Sequence, residues 1–69
     1  MTYFKAKLNI SDGTVETFTE ERLYPLISMV YFETVTQRRL GNEVTSFTIS
    51  KLVDIGSELG PIETVILED

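Results

Sequence analysis

The chain has 69 residues, a net charge of −5, and neither Cys nor His. This length allows one small hydrophobic core, so we expect a single globular domain over residues 1–69. The absence of Cys excludes disulfides and thiolate metal sites, and the absence of His excludes imidazole metal sites and the commonest acid–base catalyst at neutral pH. We therefore predict a non-enzymatic protein with no cofactor and no metal ion.

The first 18 residues predict a β-hairpin. Every second residue from Phe4 to Ile10 is apolar, and Asp12-Gly13 supplies the positive φ values that a tight turn requires. Two registers are compatible with this pattern. A two-residue turn places Val15 on the apolar face and Phe18 on the opposite one. A three-residue loop with Gly13 in the left-handed conformation instead brings Phe18 beside Ala6 and turns Val15 outward.

A helix is predicted after the hairpin, from about Glu20 to Tyr31 or Glu33. Thr19 supplies a hydroxyl for the N-cap, and two acids follow it where the helix dipole favours them. Pro25 is compatible with a helix only near its start, because a proline in the interior removes a hydrogen bond. The apolar residues that recur at helical spacing and predict the buried stripe are Leu23, Leu26, Ile27, Val30 and Tyr31.

The segment that follows supports a second interpretation. Met29–Thr36 is rich in β-branched and aromatic residues, which favour strands. We therefore expect a strand to begin near Thr34. The alternative is an all-β meander with a strand over Met29–Arg38.

The C-terminal half predicts the rest of this third strand, which the turn at Gly41-Asn42 could split, and then a fourth strand. Gly41-Asn42 marks a turn, and the loosely alternating segment after Val44 is separated from a β-branched strand at Ile62–Leu67 by the break Gly56–Pro61. The resulting order is β-β-α-β-β. This order predicts an α+β fold, a small antiparallel β-sheet with one helix packed on one face, whose other face is left to solvent or to a partner.

The net charge is carried entirely by the last 18 residues. Residues 1–51 contain six bases and six acids, whereas the segment from Leu52 onward has acids only. A one-sided acidic surface attracts a basic partner and repels nucleic acid. We therefore predict docking on another protein with a basic surface, in the sharper form a nucleic-acid-binding protein whose site is occupied by mimicry. The predicted partner-binding residues are Asp54, Glu58, Glu63, Glu68 and Asp69. The alternative is that these acids only keep a small domain soluble.

A surplus of large side chains lies off the predicted helix stripe. These residues, Tyr24, Met29, Phe32 and Val35, predict an interface with a second copy or another protein. The sequence leaves monomer and homodimer equally open: a core of this size stabilises a chain only weakly, and dimerisation would bury more surface. Arg38-Arg39 is interpreted as an exposed basic pair that could contact an acidic region of the second copy. The second function hypothesis is thus a self-associating structural homo-oligomer module without a charge-dependent partner.

The chain shows no stretch approaching the length of a membrane span, and its first residues lack the apolar core of a signal peptide. We therefore expect a cytoplasmic protein. In size and charge the chain is similar to the small acidic accessory proteins with which bacteriophages inhibit host machinery. This likeness is one of composition, and no motif carries it.

Overall fold

The computed structural model describes all 69 residues and contains four strands and one helix. In chain order these are β1 (Thr2–Ile10), β2 (Val15–Glu20), α1 (Leu23–Arg39), β3 (Val44–Val53) and β4 (Ile62–Glu68). The strands form one antiparallel sheet in the order β2-β1-β3-β4. The predicted α+β fold and element order are confirmed, and the all-β alternative is wrong.

The β1–β2 hairpin adopts the three-residue loop. Gly13 has a φ of 91°, and its N–H donates to the carbonyl of Ile10 at 2.9 Å. Phe18 consequently pairs with Ala6, while Val15 is exposed. This register is favoured because it places the larger apolar side chain against the core.

The helix begins later than predicted. β2 continues its pairing with β1 through Glu20, so Thr19 belongs to the strand and the predicted Thr19 N-cap is wrong. Arg22 occupies the N-cap position without a side-chain hydrogen bond to the helix. Because α1 starts at Leu23, Pro25 is its third residue, where the missing N–H would have no partner within the helix.

The helix also ends later than predicted, at Arg39, and no strand begins at Thr34. Val30 and Gln37 continue the buried stripe of Leu26 at helical spacing, so the sheet covers one side of the helix along most of its length. The Thr34 hydroxyl donates to the Val30 carbonyl at 2.8 Å, which satisfies a polar group within the helix. Burial along this stripe therefore overrides the strand preference of the local sequence.

The end of α1 is fixed by a glycine. Gly41 has a φ of 87°, its N–H donates to the Arg38 carbonyl at 3.1 Å, and the Asn42 N–H donates to the Gln37 carbonyl at 2.9 Å. These two bonds form a Schellman motif. The Asn42 side chain also donates to the Gln37 side chain at 3.1 Å, which ties the turn to the last turns of the helix.

The core lies between α1 and the two strands β1 and β2, with a contribution from β3. Its fully packed members are Ala6, Leu8, Leu26, Val30 and Ile49. Two residues of the predicted helix stripe, Ile27 and Tyr31, are instead exposed. The helix does not extend over β4, and every residue of that strand is exposed.

The molecule is elongated, with principal extents of 42 × 22 × 15 Å. Its radius of gyration is 13.1 Å, compared with about 11 Å for a typical domain of this length. Its accessible surface is 4953 Å², whereas a monomer of this mass typically exposes about 4,400 Å². The one helix lacks the length and apolarity needed to cross a membrane.

Candidate functional site

The five predicted partner-binding acids all lie on the β3–β4 hairpin. Asp54 and Glu58 belong to the connection between the strands, Glu63 and Glu68 to β4, and Asp69 follows β4 directly. All five are exposed. They are spread along the hairpin from its connecting loop to the end of the chain, so they form an acidic border and not a compact cluster.

β4 is an edge strand with a free backbone edge. The Asp69 N–H donates to the Phe47 carbonyl at 3.0 Å. This bond, with the pairing of β3 and β4, shows which residues of β4 direct their peptide groups toward β3. In an antiparallel pair, alternate residues direct their peptide groups toward the neighbouring strand and away from it. The inward-facing residues are Ile62, Thr64 and Leu67. The outward-facing residues are Glu63, Val65 and Glu68.

The side chains of β4 are also exposed to solvent. Four of its seven residues are apolar and between 44% and 57% exposed: Ile62, Val65, Ile66 and Leu67. The register shifts by one residue next to Val65, as in a β-bulge. A long, exposed, apolar edge strand is a template for pairing with another chain unless charges or a covering element block it. Here the blocking charges are all negative, so they exclude acidic chains but not basic ones.

One of the five acids is paired within the chain. Lys5 Nζ lies 3.0 Å from Glu63 Oε1, on the sheet face opposite α1. Hydrogen bonding with Lys5, and then with Ser50, lowers the pKa of Glu63. This partly exposed pair is worth no more than about 1 kcal/mol. No sequence signal identifies it, because the two residues meet only through the pairing of β1 and β4 with β3.

Two further carboxyl groups meet beside the helix. Glu16 on β2 lies near Glu33 on α1, whose Oε1 accepts a hydrogen bond from Gln37 Nε2 at 2.7 Å. Burial, and then interaction with the Glu33 carboxyl group, raises the pKa of Glu16. The packing of α1 on β2 brings these two residues together, although they lie on either side of the turn that joins the two elements.

The Glu16 pair predicts a pH dependence of stability. Because the pKa of Glu16 is higher in the folded chain than in the unfolded one, stability falls as pH rises from the unfolded value through the folded one. We expect Glu16→Gln to raise the free energy of unfolding at pH 7 by about 0.5 kcal/mol and to flatten this dependence. Urea denaturation at pH 4 and pH 7 measures both effects.

The control for this prediction is Glu43→Gln, which removes one negative charge from an exposed position outside the pair. It should change stability at pH 7 by less than Glu16→Gln does. An equal gain from the two substitutions would mean that overall charge, and not the carboxyl contact, causes the effect.

The predicted oligomer interface residues divide into two groups. Tyr24 and Phe32 are exposed on the outer side of α1, whereas Met29 and Val35 are partly buried. Met29 and Phe32 line an open groove of about 350 Å³ between α1 and β2, together with Phe18. The outer helix face also contains Tyr31, which the spacing of apolar residues assigns to the core. Two overlapping apolar stripes on one helix make that assignment ambiguous from sequence.

Comparisons with protein-family models, with curated proteins and with solved structures found no match to this chain. The molecule is a four-stranded antiparallel sheet with one helix on one face and an uncovered edge strand bordered by acids.

Proposed function

We propose that the protein is a non-enzymatic, cytoplasmic binding protein whose β4 edge takes up an extended basic segment of another protein as a fifth strand. The observation that carries the proposal is the free edge of β4, where every residue is exposed and the outward peptide groups have no partner strand. Addition of a strand to a sheet edge is a recurring mode of peptide recognition.

The backbone edge would supply affinity in this mode. The peptide groups of Glu63 and Val65 face outward at the two-residue spacing that an incoming antiparallel strand can bond. The next outward group is that of Glu68, three residues on, because the bulge adds one residue after Val65. Each such bond contributes about 0.5–1.5 kcal/mol. The exposed apolar side chains of β4 would add burial against alternate side chains of the partner, since residues on one face of a sheet pack against their neighbours on the next strand.

The acids would select the partner. The segment from Leu52 to Asp69 contains five acids and no base. An incoming strand with Lys or Arg therefore meets mainly attractive charges. The nearby bases are Lys5, which already pairs with Glu63, and the exposed Lys51, which lies opposite Thr64 in the β3–β4 ladder. Attraction of this kind accelerates association and is weakened by salt.

Mimicry of nucleic acid is the sharper form of this proposal. Glu63 and Glu68 are separated by roughly 17 Å along an extended strand, a spacing over which a duplex presents several phosphates. In this form the basic partner is a nucleic-acid-binding protein, and an oligonucleotide would compete with the acidic hairpin. Because Lys5 neutralises part of the charge of Glu63, the partner must displace this lysine.

The test uses a blocked ten-residue peptide of alternating Lys and Val, with a Glu-for-Lys peptide as the comparison. We expect the basic peptide to shift the amide signals of Glu63, Val65 and Glu68 in an NMR titration, and the acidic peptide to leave them unchanged. Val65→Pro removes one outward N–H and should weaken binding about tenfold or more. Proline is tolerated where an edge-strand N–H faces solvent, so the fold should persist.

The matched control is Val65→Thr, which keeps the N–H and the β-branched shape and should bind within about twofold of the original chain. Equal binding by Val65→Pro and Val65→Thr would refute strand addition. Lysine at Asp54, Glu58, Glu63 and Glu68 together should abolish binding of the basic peptide. If that variant binds as well as the original chain, the acids serve solubility, and the alternative of a self-associating module without a charge-dependent partner is favoured.

A further inference from the structure

The helix α1 carries two apolar stripes on different sides. The inner stripe, Leu23, Leu26, Val30 and Gln37, packs toward the sheet. The outer stripe consists of Tyr24, Ser28, Tyr31 and Val35, whose spacing of four, three and four residues is that of a coiled-coil seam. Tyr24 and Tyr31 are 81% and 72% exposed, and Phe32 beside them is 71% exposed.

We propose that the outer stripe is the interface of a homodimer, in which α1 packs antiparallel against the same helix of a second copy. A two-fold axis passes between Met29 and Val30, so Tyr24 of each chain packs on Val35 of the partner subunit and Tyr31 packs on Ser28 of the partner subunit. The small Ser28 lies near the centre, where it allows the two helices to approach closely. Such an interface is isologous: the same stripe serves both copies.

The charges at the ends of the helix favour this orientation. Glu20 and Glu21 are followed by Arg22 at the start of α1, so this end has a net charge of −1, whereas Arg38 and Arg39 form the last turn. None of these residues is in an ion pair within the chain, whose one ion pair joins Lys5 and Glu63. An antiparallel pair brings the arginines of each copy toward the glutamates of the other. A parallel pair would place like charges together, which is unfavourable.

The exposed area is also of the size that a dimer needs. Tyr24, Tyr31 and Phe32, at roughly 150–250 Å² each when fully exposed, offer about 450 Å² per copy at the exposures of 81%, 72% and 71%. The neighbouring Ile27 and Val35 and the stems of the two arginines extend this to roughly 600–700 Å². Two copies would bury about 1,200–1,400 Å² in total, at the lower end of the range for specific interfaces.

The proposed dimer is independent of strand addition at β4. The outer face of α1 points away from the sheet, whereas β4 lies at the sheet edge farthest from β2. Dimerisation would leave both β4 edges uncovered. The assembly would thus present two equivalent docking edges, and a partner with two basic segments would gain avidity from binding both.

Sedimentation equilibrium of the full chain tests the proposal. We expect a mass of about twice 7.9 kDa at high concentration. Tyr31→Lys should raise the dimer dissociation constant about 100-fold or more, because the substitution is present at two places in a symmetric interface. The control Leu59→Lys introduces the same charge at an apolar residue that is 95% exposed and outside the stripe, and should leave the mass unchanged. Far-UV circular dichroism verifies that each variant remains folded.

Exchanging the charges at the two ends of α1 tests whether the partner is a second copy and whether the two helices are antiparallel. Replacing Arg38 and Arg39 with Glu should weaken the dimer, as should replacing Glu20 and Glu21 with Lys. Combining all four substitutions should restore it to within about threefold, since opposite charges again face each other. A monomeric original chain at about 0.5 mM, loss of the dimer in Leu59→Lys, or failure of the combined variant to recover would overturn the proposal. A monomer under these conditions would leave another protein as the occupant of this face.

Discussion

Replacing Leu26 with Ala is expected to unfold most of the chain at room temperature. Leu26 is completely buried at the centre of a core of only five fully packed residues. A buried Leu→Ala substitution costs about 2.7–5 kcal/mol, because apolar contacts are lost and a cavity remains. A domain of this size without disulfides or metal is stabilised by only about 3–5 kcal/mol. The substitution therefore removes most or all of the stability.

Thermal and urea denaturation, followed by circular dichroism, measure this effect. Leu59→Ala is the matched control, since the same side chain is removed from a position that is 95% exposed. Its unfolding midpoint should remain within the error of the original chain. Cooperative unfolding of Leu26→Ala at a midpoint close to that of the original chain would mean that the packing of α1 on the sheet contributes little to stability.

Replacing Gly41 with Val is expected to cost about 2 kcal/mol, because the left-handed conformation is unfavourable for β-branched residues in particular. Gly41 has a φ of 87°, and it closes the Schellman motif at the end of α1. A Cβ placed on Gly41 would have no heavy atom within 4 Å. Steric conflict with residues beyond the two chain neighbours is therefore absent, and the cost arises from the local backbone conformation.

Gly41→Asn separates these causes, since Asn adopts the left-handed conformation more readily than other residues with a side chain. Its cost should be about half that of Gly41→Val. Urea midpoints of the two variants provide the comparison. Equal losses would show that the side chain itself disturbs the turn, and an unchanged midpoint for Gly41→Val would contradict a left-handed residue at this position.

Binding at the β4 edge or at the outer face of α1 would stabilise the folded chain. Any partner that binds only the folded chain raises its stability according to the ratio of free ligand concentration to dissociation constant. A strand on β4 or a second copy on α1 would therefore raise the unfolding midpoint of the original chain. The two contributions are separable, because Val65→Pro acts on the sheet edge and Tyr31→Lys on the outer helix face.

The elements and their order could be predicted from sequence wherever the local pattern and the turn chemistry agree. The alternation from Phe4 to Ile10 before Asp12-Gly13 predicts a hairpin, and the break Gly56–Pro61 separates the last two strands. Both features depend on the period of a strand and on the φ values open to glycine, which are local properties. The acidic character of the C-terminal segment is likewise a property of the sequence alone.

The limits of the helix depended on tertiary structure. Thr19 and Glu20 remain in β2 because β1 offers hydrogen bonds to them, although an isolated chain would use Thr19 as a helix cap. The strand-favouring residues after Met29 are helical because the sheet buries one side of α1 as far as Gln37. Burial of a continuous apolar stripe outweighs the small differences in local propensity.

The candidate binding surfaces also depend partly on sequence and partly on tertiary structure. Composition determines that the last 18 residues carry acids without bases. Only the sheet order places β4 at an edge that the helix does not cover and brings Lys5 to Glu63. Helical spacing alone assigns Tyr31 to the core, whereas packing leaves it exposed on a second stripe. Sequence specifies local periodicity and charge, but which face is covered depends on the long-range pairing of strands and the single helix available to cover them.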